Sequence, residues 1–130
     1  MTSKTLKSTR GFPKKLASWN IGMRRVRKIL TAERQAGFSA RATGIYSDDV
    51  DVLVHEGNLL VRVYESTNYK KPEFYIQPSK ANRYKNNLTK YPPSVQKIMI
   101  VSYDKNLEKV GGKQYFEQHG IEVKVIGYQD

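Results

Sequence analysis

A chain of 130 residues is long enough for one domain around one core, and the absence of cysteine excludes disulfides, cysteine nucleophiles and cysteine-based zinc sites. No stretch approaches the ~20 apolar residues of a membrane span, and the basic N-terminus lacks the apolar run of a secretory signal, so a cytoplasmic protein with no membrane partner is expected. The net charge of +11 is one-sided: residues 1–45 carry +10, with Glu33 as their single acid, and residues 46–130 carry +1. Such a field attracts polyanions, nucleic acid first among them.

In chain order, residues 1–15 are rich in Lys, Ser and Thr and lack periodicity. They predict a flexible basic arm ahead of a domain over 16–130. Ser18 or Asn20 is placed to cap a helix running to Ala36, with Gly37 as its stop. Met23, Val26, Ile29, Leu30 and Ala36 form its inward stripe, and Arg24, Arg25, Arg27, Lys28 and Arg34 its basic side. Trp19 is read as an anchor of this helix. Strands are predicted at Phe38–Ile45, Asp49–Val54 and Leu59–Thr67, the last two joined as a hairpin across 55–58. Pro78 and Ser79 open a second helix, with Ala81, Tyr84, Leu88 and Tyr91 on one face and Pro92-Pro93 as its end. A strand buried on both faces follows over Lys97–Ser102, then a helix around Lys113–His119 and a last strand at Ile121–Ile126. The order α-β-β-β-α-β-α-β predicts a single α/β domain, a mixed central sheet flanked by helices.

Several acids stand out. Glu33 falls within the apolar stripe of the first helix, where a carboxylate needs a partner. It reads either as a metal ligand or as an ion pair with Arg41 or a Lys from another element. Asp48, Asp49 and Asp51 crowd a loop-to-strand junction, and Glu65 ends the next strand. The hairpin brings Asp51 and Glu65 to the same end of neighbouring strands. Two carboxylates so placed repel, and a hard divalent cation relieves them. His55 and His119 lack zinc-site spacing, and Gly111-Gly112 reads as a turn. Tyr69, Tyr75, Tyr84 and Tyr91 suit packing better than stacking on unpaired bases.

This arrangement resembles the PD-(D/E)XK nucleases, closest to archaeal Holliday-junction resolvases and related viral nucleases. The resemblance covers about residues 20–103 and rests on Asp51, on Glu65-Ser66-Thr67 and on the element order. It implies a restriction-endonuclease-like fold and a Mg²⁺- or Mn²⁺-dependent DNA endonuclease. Its metal ligands would be Asp51 and Glu65, with Glu33 as a third and Asp49 in reserve. Two departures are evident. No proline precedes Asp51, and Thr67 stands where the family has its lysine. The lysine's task would pass to Lys70, or to Lys71, with Thr67 hydrogen-bonding the water or a ligand. Arg24, Arg25, Arg27, Lys28, Arg41 and Lys71 are expected to hold DNA through its backbone, favouring branched shapes over base sequence. A homodimer is expected, since cutting two strands of a junction takes two symmetric sites. The alternatives are a non-catalytic DNA-binding protein on the same fold and an RNA-binding or protein-interaction module.

Overall fold

The computed structural model describes residues 13–43 and 49–129, with side chains from Met23 onward. The elements are α1 (Pro13–Gln35), β1 (Ser39–Ala42), β2 (Val52–Glu56), β3 (Leu59–Ser66), α2 (Pro78–Thr89), β4 (Gln96–Val101), a 3-10 helix (Asp104–Val110), α3 (Gln114–Glu117) and β5 (Ile121–Val125). The expected α/β class and element order are present. The 3-10 helix is additional, and α3 is only one turn of the helix expected over 113–119. The first helix starts at Pro13, ahead of both expected caps, Ser18 and Asn20, and inside the expected arm. Residues 1–12 of that arm, Asp48 and the end of the first predicted strand lie outside the described residues.

The helix stops where its glycine says it should. Gly37 takes φ 97. Phe38 N then donates to Glu33 O at 3.0 Å and Gly37 N to Arg34 O at 3.0 Å. Those two bonds satisfy the last carbonyls of α1 in a left-handed glycine cap. At the other helix, Pro78 occupies the first turn, where its missing N–H costs nothing.

The five strands lie in the order β1-β2-β3-β4-β5. The first three form an antiparallel meander turned at Gly57 (φ 63), and β3-β4 and β4-β5 are parallel. The register shifts between Val54 and His55, leaving Val61 as the extra residue of a bulge.

Two cores sit on opposite faces of this sheet. Val26 and Ile29 of α1 pack with Ala40, Val52, Val54, Tyr64, Ile98 and Ile100. Ala81, Tyr84 and Leu88 of α2 pack with Leu53, Val63, Met99, Leu107, Phe116 and Ile121. Alternate residues of one strand belong to different cores, as a period of two requires. In β4, Lys97 and Ile98–Val101 are all buried, as expected of a central strand covered on both sides. Its buried Lys97 donates to Pro92 O at 2.8 Å and Val95 O at 3.0 Å, closing the turn before the strand. Among the described residues, no helix is long and apolar enough to cross a membrane.

Candidate active site

The pairing of β2 with β3 decides the geometry. Val52 lies opposite Tyr64, and Asp51 N donates to Tyr64 O at 2.8 Å, so the ladder continues one residue before β2. Asp51 thus faces Glu65 directly, and residues opposite each other in a ladder project to the same face. That face is the one covered by α2.

Glu65 is 2 % exposed and Asp51 is half-buried. Their side chains are within hydrogen-bond reach of one another. Ser66 N donates to Asp51 Oδ2 at 2.9 Å, and Asn87 Nδ2 of α2 donates to Glu65 Oε2 at 3.0 Å. Burial raises the Glu65 carboxyl far above the usual range, and the neighbouring Asp51 charge raises it further. Burial also raises Asp51, against the opposing pull of its Ser66 and Glu65 hydrogen bonds and of the Arg83 charge. Burial and mutual repulsion therefore disfavour ionising both acids at once. Two buried acids in one place accept either a proton or a cation.

The donor set fits a hard cation. Carboxylate oxygens suit Mg²⁺, which keeps several of its waters and needs few protein ligands. Two is what this site offers: among the described residues, no group of three or more His, Cys, Asp or Glu could share an ion.

The expected third ligand is elsewhere. Glu33 lies on the opposite face of the sheet, under α1, where Arg62 grips it through Nε at 2.6 Å and Nη2 at 2.7 Å. Tyr64 Oη also donates to it. Burial works to raise the Glu33 pKa, but the Arg62 and Tyr64 hydrogen bonds and the Arg62 charge outweigh it, and the net shift is downward. Of the two readings of Glu33, the ion pair is the one present. Its partner is Arg62 rather than Arg41 or a lysine.

Asp49 is also turned to other uses. Its Oδ1 accepts from Tyr91 Oη at 2.5 Å and from Val50 N at 2.7 Å, and pairs with Lys90 Nζ at 3.2 Å. Thr67 is buried, its hydroxyl on Ile100 O at 3.4 Å and its N–H on the same carbonyl at 2.9 Å. It is committed to tying β3 to β4. Lys70 and Lys71 are exposed, and Lys71 Nζ sits 5.9 Å from the centre of the Phe74 ring. Among the described residues, neither lysine forms a hydrogen bond or ion pair with the carboxylate pair.

The basic residues divide likewise. Arg25 is not a surface residue. It is 0 % exposed and donates to Thr67 O at 2.9 Å, Ser102 Oγ at 3.2 Å, Gly127 O at 2.7 Å and Asn68 Oδ1. Burial brings its pKa down to about 10, which leaves it charged at neutral pH. It pins α1 to the ends of β3 and β4 and to the C-terminal segment. Arg24, Arg27 and Lys28 are exposed as expected. They lie on the outer side of α1, with the sheet between them and the carboxylates. Arg41 is exposed on the edge strand β1 and pairs in register with Leu53, so it shares the face of Asp51 and Glu65.

Helix α2 supplies what the sequence reading missed. Asn87 bonds Glu65. Arg83, one turn earlier, is the cation whose charge bears on both acids. Tyr84 is buried beside them, its hydroxyl raised first by burial and then by Tyr69, Glu65 and Asp51. The four-residue spacing of Arg83 and Asn87, next to the buried Tyr84 and Leu88, was the available signal. His55 is half-buried and His119 exposed, and among the described residues neither belongs to a cluster that could share an ion.

No family model, no curated protein and no solved structure matches this chain.

Proposed function

We propose that this protein is a divalent-cation-dependent DNA endonuclease of the PD-(D/E)XK kind, acting by phosphodiester hydrolysis and selecting branched DNA. The observation that carries the reading is the facing of Asp51 and Glu65, a half-buried and a buried carboxyl held in hydrogen-bond reach of each other on one face of the sheet. The order of helix, antiparallel meander, helix and a strand parallel to the third agrees with the fold the resemblance implies.

Asp51 and Glu65 would hold Mg²⁺ or Mn²⁺, which when bound lowers the pKa of a water and offsets charge on a phosphoryl group. The chain's own part is to orient. Ser66 N and Asn87 Nδ2 each fix one carboxylate, and Arg41 stands on the same face to meet the phosphate backbone. In the reaction, a water oxygen joins phosphorus, one P–O ester bond of the chain breaks, and the leaving oxygen takes up a proton. Junction cleavage on two strands makes a homodimer part of the proposal.

The second reading is a DNA-binding protein that has kept the fold and lost catalysis. It is favoured by the position of Thr67, which is spent on the Ile100 carbonyl where the family has its lysine. One experiment separates the two. The protein and its Asp51→Asn, Glu65→Gln variant are incubated with branched, duplex and single-stranded DNA in Mg²⁺ and in Mn²⁺. Cleavage lost by the variant with binding retained supports the enzyme; binding without cleavage by either protein supports the second reading.

A further inference from the structure

The site has a ready phosphate ligand that is not among the lysines next to Thr67. Asn87 is spent on Glu65 at 3.0 Å. Four residues earlier on the same helix face, Arg83 is exposed. Its positive charge bears on both Asp51 and Glu65, yet among the described residues it forms no hydrogen bond and no ion pair with either. Among the described residues its directed contact is with the ring of Tyr84, 5.8 Å from the centroid.

An arginine close to two acids normally pairs with one of them, as Arg62 does with Glu33. Here Asp51 and Glu65 already satisfy each other and their Ser66 and Asn87 donors, so the guanidinium is left unspent. A guanidinium presents a planar fork that suits two oxygens of a phosphate.

We propose that Arg83 is a catalytic phosphate-binding residue, whose guanidinium grips the non-bridging oxygens of the phosphodiester seated over Asp51 and Glu65. It would do from α2 what the motif lysine does from the third strand, since Thr67 is tied to Ile100. The inference rests on the nuclease reading for the identity of the substrate. It is independent of that reading for the contact itself.

The test separates the two. In an Asp51→Asn, Glu65→Gln background the pair is neutral, and DNA can approach without a metal. Binding of a fluorescein-labelled branched DNA is followed by anisotropy in EDTA between 50 and 200 mM salt, concentrations over which about one phosphate contact is resolvable from the slope. Adding Arg83→Ala should weaken binding and flatten the log-log salt slope by about 0.9, with Arg83→Lys restoring the slope and Arg83→Gln failing to. In the otherwise native protein with Mn²⁺, Arg83→Ala should slow single-turnover cleavage by roughly 10²-fold. Arg83→Lys should recover part of that rate, and Mn²⁺ binding should weaken in neither variant. An unaltered salt slope in the neutral background overturns the proposal. So does native cleavage by Arg83→Ala. A native protein that binds DNA through Arg83 but cleaves nothing removes the nuclease reading and leaves the contact standing.

Discussion

The two faces of the sheet treat a buried acid in opposite ways. Under α1, Glu33 meets a forked guanidinium and a phenol, and its pKa falls. Under α2, Glu65 meets another acid, and its pKa rises. The first face also buries Arg25 with four neutral acceptors, so its charges are settled within the protein. The second sets two carboxyl groups against each other, near an exposed arginine that among the described residues pairs with neither. Satisfied charge is architecture. Perturbed acids of the second kind cluster at functional sites.

The contrast can be broken or sharpened by substitution. The largest effect is expected at Arg25→Met, which strips donors from Thr67, Asn68, Ser102 and Gly127 at once. Urea unfolding should register a loss of about 3–5 kcal/mol, and a loss below about 1 kcal/mol would remove Arg25 from the architecture.

Next comes Glu33→Gln, expected to cost about 1–3 kcal/mol. Its pH dependence carries the sign. The folded pKa of Glu33 is below its ordinary 4.5. Its contribution is therefore complete above that value and disappears as pH falls through the lowered one. Thermal melts should show the native protein losing more stability than the variant in that acid window. Parallel losses would contradict the ion pair.

Asp51→Asn should act in the opposite direction. A carboxyl raised on folding weighs against the folded state at neutral pH. The replacing amide can still accept from Ser66 N while donating to Glu65. Without metal, stability at neutral pH should rise. Added Mn²⁺ should then stabilise the native protein and Glu33→Gln but not Asp51→Asn. A variant that Mn²⁺ still stabilises would place the cation elsewhere.

The smallest effects belong to the outer side of α1. Arg27→Ala and Lys28→Ala should leave stability within about 0.5 kcal/mol. Since these residues lie across the sheet from the carboxylates, each should flatten the salt slope of DNA binding by less than the ~0.9 of a full phosphate contact. A full step at either would show DNA wrapping around the domain.

What was legible in the sequence is what depends on near neighbours. Gly37 ends a helix because the left-handed cap is local, the hairpin follows from 55–58, and Asp51 meets Glu65 because a short turn fixes which residues face each other. The side to which a helix turns depends on what packs against it. Arg25 reads as surface and Glu33 as either a ligand or an ion pair, although positions 25, 29 and 33 recur at one-turn spacing and Ile29 between them is core. Only the assembled sheet shows that their common stripe covers the face away from Asp51. Arg83 was hidden for the same reason. Its role depends on α2 crossing over β3, a contact between segments some twenty residues apart in the chain. Local sequence determined the elements and the facing acids, and the tertiary fold decided which charges were neutralised, because partners for a buried charge are recruited across elements and not along them.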